Sequence, residues 1–323
     1  MIYVLGLCFC ESFCKNIKSN NVSNQQRKWV YLISLAFIWG SSFILMKRGL
    51  VGLTAYQMGA LRITFTAIFL FIYDFKSIFL IPKSKYKWIV VTAILSTFMP
   101  VFLFAIAQTK IDSSVVAVLN SLMPVFALVI SAIFFSVVIK IRQVVGVIIG
   151  LVGTLILILS KGSIGESQNS LYGILVIIAS IGYASNINIL KYYMKDVSAV
   201  SITVGNFLVL IFPAILILYF TSFFNLETLK NPEVQKSVGY IAILSLFGTA
   251  FAKVLFNKLI KISSSVFSAS VTYLIPVVAI MWGILDGESF NTVQIFGAFA
   301  ILVGVYLVNK KRSSAKLDDE YAG

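Results

Sequence analysis

Two nine-residue stretches, WGSSFILMK at Trp39–Lys47 and YASNINILK at Tyr183–Lys191, stand 144 positions apart in the chain. Trp39, Gly40, Ser41, Ser42 and Lys47 fall opposite Tyr183, Ala184, Ser185, Asn186 and Lys191, and the alignment runs without a gap into the next apolar segment. Farther on, Trp88, Thr97, Leu103, Phe104, Ala117 and Pro124 face Tyr240, Thr249, Leu255, Phe256, Ala269 and Pro276 at an offset of 152, the loop at 225–236 taking up the extra length. Gln143, Gly146 and Gly153 then match Gln294, Gly297 and Gly304. The chain therefore reads as two copies of one unit, and the architecture follows from how many segments each copy holds.

Composition says what those segments are. Of 323 residues, 59% are hydrophobic and 12% charged, about half the charged share of a soluble domain, and the mean hydropathy is +0.97. Apolar stretches near the length that spans a bilayer recur at 30–46, 54–73, 88–108, 114–139 and 144–159, then at 171–190, 200–220, 238–256, 264–285 and 293–308. Each is expected to be a helix, because an open strand in lipid leaves backbone groups unpaired. Five crossings invert the copy that follows. The expected fold is an all-α integral membrane protein of ten transmembrane helices, arranged as two inverted five-helix repeats, the plan of carriers with a midplane site. The repeats take 29–160 and 171–309, with an N-terminal cytoplasmic segment at 1–28 and a cytoplasmic tail at 310–323.

The net charge of +14 belongs to this plan rather than to nucleic-acid binding. With the N-terminus inside, 18 of the 26 basic residues fall in cytoplasmic segments and 6 in outer loops, while Arg62 and Lys253 lie within spans. That split puts both termini in the cytoplasm of a multi-pass inner or plasma membrane protein. The opening run MIYVLGLCFC lacks a basic n-region and a small-residue cleavage site, and reads as an early start or a short surface segment. The three cysteines, Cys8, Cys10 and Cys14, all lie in that region, and histidine is absent. No metal site and no cofactor is expected, and the usual general base is missing.

WGSSF at 39–43, Arg62 in the second span, LNSLMPVFALV and TYLIPVVAI in the fourth and ninth, and GESFNTVQIFGAFAILVGV closing the second unit together resemble the EamA-type transporters of the drug/metabolite transporter superfamily. The resemblance covers about 30–310 and implies a ten-helix bundle around a central cavity that exports or exchanges amino acids and other small metabolites. The family often closes both units with an acidic residue. Glu288 fits that place in the second copy, but Ser136 or Val137 stands there in the first, which puts any symmetric acid pair in doubt.

Among candidate substrate-binding residues, Arg62 comes first. A charge halfway along a span costs at least about 2.5–3.5 kcal/mol on insertion scales, so it faces a partner or a wet cavity. Its guanidinium fork suits a substrate carboxylate, or else ties helix ends through carbonyls. Its repeat counterpart is Asn206. Lys253 either joins the site or snorkels to the headgroups with Asn257 solvating it. Trp39 and Ser42, with Tyr183 and Asn186 opposite, are either cavity walls or close-packing positions. Pro124 and Pro276 break matching helices and free carbonyls, or only permit a bend. Asn120, Thr272 and Tyr273 sit close before those prolines and are expected to face the interior. Gly146, Gly150, Gly153, Gly297 and Gly304 read as packing residues. Asp286 and Glu288 read as solvated loop acids.

The function these residues point to is an alternating-access secondary transporter for small polar metabolites, amino acids or related carboxylates above all, working by export or exchange. The expected partners are a small-molecule substrate with an anionic or zwitterionic group and membrane lipid, not nucleic acid, with the protein a monomer or dimer. A lipid or lipid-linked sugar flippase of the same fold is the alternative. A membrane-embedded enzyme is a weaker one, because no base and nucleophile pair lies at membrane depth.

Overall fold

The computed structural model of the protein describes residues 23–111, 116, 119–159, 171–285 and 292–309. Among them all regular structure is helical. In chain order the helices are α1 (Asn24–Gly52), α2 (Ala55–Asp74), α3 (Tyr86–Ala93), α4 (Met99–Gln108), α5 (Met123–Phe135), α6 (Ile141–Leu159), α7 (Leu171–Tyr193), α8 (Ala199–Phe220), α9 (Leu226–Lys230), α10 (Pro232–Ile243), α11 (Ala252–Ile262), α12 (Ser265–Ala269), α13 (Val271–Leu285) and α14 (Thr292–Asn309). A π-helical turn at Ile94–Phe98 joins α3 to α4, and another at Leu244–Phe251 joins α10 to α11.

Polar residues at segment starts set the boundaries. Ser23 with Gln26 and Thr54 with Gln57 form reciprocal capping boxes at α1 and α2, and Ser198, Asn231 and Ser264 cap α8, α10 and α12. Each gives an oxygen to a backbone N–H that the helix leaves unpaired. Six stretches are long and apolar enough to cross a membrane: Asn24–Gly52, Ala55–Leu80, Lys83–Gln108, Leu171–Tyr193, Ala199–Phe220 and Pro232–Ile262. The stretches expected at 114–139, 144–159, 264–285 and 293–308 carry shorter apolar helices. Two of them are interrupted. Residues 121–122 form a turn before α5, and Ser270 separates α12 from α13.

Packing runs across the two halves of the sequence. Helix α1 lies against α10 and α13, while α7 lies against α4 and α5. Helix α2 packs on α8, and α6 on α14. The last pair meets through the glycines expected to serve packing. A Cβ on Gly146 would stand 2.7 Å from the Gly304 carbonyl oxygen, and one on Gly153 would stand 2.8 Å from that of Gly297. Any larger residue would drive these backbones apart. One apolar core joins α1, α7, α11 and α13, and a second joins α2, α8 and α10.

Glu288, Asp286, the tail at 310–323 and the cysteine-bearing N-terminus lie outside the described residues. Ser136, where the first copy lacks the acid, closes α5 in the left-handed conformation at φ 50°.

Candidate functional site

The two π-helical turns organise the interior. Such a turn shifts the backbone bonding by one residue and releases carbonyls from the regular ladder, which makes it a recurrent feature of functional sites. Ser96 in the first turn and Gly248 in the second stand 152 positions apart, the same offset that pairs Thr97 with Thr249. Both carbonyls accept a side-chain donor from the opposite half of the chain. The Trp39 indole Nε1 donates to Gly248 O at 3.0 Å. Lys253 Nζ donates to Ser96 O and, at 2.9 Å, to Ser96 Oγ.

Arg62 reaches the second turn as well, with Nε donating to Thr249 Oγ1 at 2.7 Å and Nη1 4.0 Å from Met46 Sδ. Its helix is fixed there by Thr66, whose hydroxyl lies 2.7 Å from Arg62 O and 3.3 Å from Ser245 O. Among the described residues Nη2 has no partner, so the outer edge of the fork is unspent. Tyr183 stands near both cations: Lys253 Nζ lies over its ring at 5.8 Å, and Arg62 is close enough to act on it electrostatically. Arg62, Lys253 and Tyr183 are each partly buried and keep some accessible surface.

The aromatic contacts cross in the same way. Trp39 meets Phe256 edge-on at 5.1 Å, and Tyr183 meets Phe104 at 6.1 Å. Trp39 and Tyr183 are one aligned pair, and Phe104 and Phe256 are another.

Other expectations fare differently. Lys253 does not snorkel: the Ser96 carbonyl and hydroxyl draw its ammonium inward. Asn257 donates its Nδ2 to Thr203 Oγ1 at 3.0 Å, and among the described residues Lys253 Nζ bonds Ser96 rather than Asn257. Asn206 is buried against Thr92, 3.0 Å away, and joins α8 to α3 rather than reaching Arg62. Tyr273 is fully buried, donates to Val147 O at 3.0 Å and presses its ring on Gly150. Thr272 bonds Ala269 O at 3.1 Å within its own segment. Asn120 has only a long contact, 3.4 Å, with Ser180. Ser42 is buried beside the second π-turn, donating to Ile38 O at 2.6 Å. A Cβ on Gly248 would stand 2.7 Å from the Ser42 hydroxyl, so a larger residue there would displace that side chain. Asn186 is buried with its Oδ1 unpaired. Pro124 sits in the first turn of α5 while Pro276 lies inside α13, so the two prolines bend their segments differently.

The structure thus brings together Arg62, Trp39, Tyr183 and Lys253, with Ser42 at the edge, and ties Asn206, Thr272 and Tyr273 into helix contacts elsewhere. Ser96, Thr249, Phe104 and Phe256 complete the cluster without having been singled out as site residues. For the last three the signal is the aligned columns Thr97/Thr249 and Phe104/Phe256, whereas Ser96 carries none. A separate groove of about 520 Å³, lined by Leu61, Phe65, Leu218, Phe223 and Val238, is almost wholly apolar and shares no residue with this cluster.

The profile of the EamA-like transporter family matches residues 27–159 and again 171–310. The chain belongs to the EamA-like transporter family. It is 26% identical over 291 residues to the S-adenosylmethionine/S-adenosylhomocysteine transporter of Chlamydia muridarum, covering 86% of this chain and 91% of that one. It is 25% identical to the uncharacterized transporter YoaV of Bacillus subtilis, covering 85% and 94%. An uncharacterized transporter of Archaeoglobus fulgidus is also 25% identical, over 88% of this chain and all of its own length. A solved crystal structure superposes with a TM-score of 0.68 at 15% identity, covering 86% of this chain and 94% of that one, a likeness of fold alone. This EamA-like chain is therefore a multi-pass membrane transporter.

Proposed function

We propose that the chain is an alternating-access secondary carrier of two inverted five-helix repeats. It moves small metabolites bearing a carboxylate, amino acids or close relatives, by export or exchange, with both termini cytoplasmic. The observation that carries this reading is the crossed pattern around the π-turns. Trp39 and Arg62 of the first half engage the turn of the second, and Lys253 of the second engages the turn of the first. A two-fold related pair of units enclosing one site would generate such a pattern, and the swapped Trp39–Phe256 and Tyr183–Phe104 contacts support the same symmetry.

In this reading the unspent edge of Arg62 takes the carboxylate, and Trp39 and Tyr183 form apolar walls. S-Adenosylmethionine, the cargo named for the chlamydial relative, carries a sulfonium that Arg62 and Lys253 would repel. An amino acid without that cation is the better fit. No described carboxylate or histidine lies at membrane depth, so transport runs without proton coupling.

The test is counterflow in proteoliposomes against labelled amino acids, S-adenosylmethionine and S-adenosylhomocysteine, with and without an imposed pH gradient. The carrier reading expects an amino acid or a related carboxylate to exchange at a rate the gradient leaves unchanged. Lipid scrambling without exchange of any soluble compound would replace it with the flippase.

A further inference from the structure

Arg62 and Lys253 are both held by uncharged oxygens. Arg62 Nε uses Thr249 Oγ1, and Lys253 Nζ uses the carbonyl and hydroxyl of Ser96. The carboxylates among the described residues are all engaged or exposed elsewhere. Asp74 caps the short helix that follows α2, Asp196 pairs with Lys85, and Glu227 and Glu233 are exposed in the 226–233 stretch. Thr249, which holds Arg62, and Lys253 stand one turn apart where the second π-turn runs into α11, so the two cations are anchored side by side. Hydroxyl and carbonyl dipoles offset only part of the lost hydration of an ion, so each cation favours an anion beside it. A cargo with one negative charge would neutralise one cation and leave the other uncompensated.

We propose that the cargo of this site is an organic dianion, with one negative charge on the Arg62 fork and the other on the Lys253 ammonium. This rests on the carrier reading and narrows its substrate class. Tyr183, near both cations, supplies the uncharged surface between the two contacts. Two carboxylates, or one doubly ionised phosphate monoester, offer the required chemistry.

Both sources are tested by ligand-induced thermal stabilisation of the full-length protein in nanodiscs at pH 7.5. The dicarboxylate arm uses glutarate, its monoamide and its diamide. The phosphate arm uses phenyl phosphate and methyl phenyl phosphate. In at least one arm the dianion is expected to bind about tenfold or more tightly than its monoanion. The arm that responds identifies the anionic group. Lys253→Gln should collapse that preference to within about threefold, and Lys253→Arg should keep it. A monoanion that binds the wild type as tightly as its dianion, or dianions that fail to bind in both arms, would overturn the proposal, and neither result depends on a variant folding. If the neutral diamide binds as well as glutarate, to wild type and Arg62→Gln alike, the anion site itself falls, and with it the carboxylate reading of Arg62.

Discussion

The two ends of the helix bundle use corresponding positions for different chemistry. At one end Lys85 Nζ contacts Asp196 Oδ2 at 2.9 Å and donates to Tyr193 O at 2.8 Å. At the other, Ser237 Oγ accepts from Gly52 N at 3.1 Å and lies 3.2 Å from Arg48 O. The offset of 152 pairs Lys85 with Ser237, and the offset of 144 pairs Gly52 with Asp196. Around the first latch, Lys261 donates to Lys195 O at 2.7 Å, Lys191 donates to Ser263 O, and Trp88 stacks on Tyr193 at 4.0 Å. Ammonium groups on the last carbonyls of α7 and α11 complement the negative ends of those helices. The second latch is short, neutral and partly buried. Both fasten one half of the chain to the other, but only the first depends on charge, so the two should yield to different conditions.

Which latch faces the cytoplasm is the all-or-none part of this contrast. With Cys8, Cys10 and Cys14 replaced by serine, Ser84→Cys beside the ionic latch should resist an impermeant thiol reagent applied from outside. Asn231→Cys, at the start of the helix that carries Ser237, should react fully. The reverse labelling would exchange the faces and withdraw the assignment of both termini to the cytoplasm.

Next in size is the interior cluster. Arg62→Gln is expected to lower kcat/KM in proteoliposomes at least about tenfold, the loss of a charge-assisted contact. Arg62→Lys should fall between, because an ammonium cannot reproduce the planar fork. If latch variants slow exchange more than Arg62→Gln does, the cluster is scaffold rather than site.

Breaking the neutral latch should show chiefly as stability. Ser237→Ala removes the hydroxyl that ties α10 to the end of α1 at Gly52 N and Arg48 O, a loss of about 0.5–1.5 kcal/mol per hydrogen bond. A Tm lowered by several degrees, to the same extent at low and high salt, is the expected calorimetric result. A strongly salt-dependent loss would place this latch with the ionic one.

The smallest effect belongs to Asp196, whose side chain is 63% exposed and whose pair with Lys85 is open to salt. The hydrogen bond from Lys85 holds its carboxyl below the ordinary value. Its contribution is therefore complete above the unfolded carboxylate range, near about 3.9, and is lost only as the pH falls through the lowered value. Asp196→Asn should change Tm slightly at neutral pH, and the difference from wild type should vanish in high salt and at strongly acid pH. A persistent difference would mean that the Tyr193 and Lys261 contacts depend on the carboxylate.

Much of this was legible in the chain before any coordinates. Apolar runs located the segments, because hydrophobic length is a local property. Repeat offsets paired Thr97 with Thr249 and Phe104 with Phe256, residues of the two π-turns and of the aromatic contacts beside them. The π-turns were not legible, since nothing in ILSTF or LSLFGTAF distinguishes an i→i+5 turn from ordinary helix. For that reason the Ser96 carbonyl, and with it the inward pull on Lys253, could not be read beforehand. Asn206 and Tyr273 were misplaced for a related reason. Polarity on an apolar segment says that a partner exists, but Thr92 and the Val147 carbonyl were as available as a cavity.

The account stands or falls on whether the ionic latch must open for cargo to cross. In the cysteine-free background, Lys85→Cys with Asp196→Cys, joined by a short bifunctional thiol reagent with a cleavable disulfide, allows counterflow to be measured before linking, after linking and after cleavage. Alternating access predicts that linking stops exchange while each single variant, treated identically, continues, and that cleavage restores the rate. Undiminished exchange through the linked protein would contradict it.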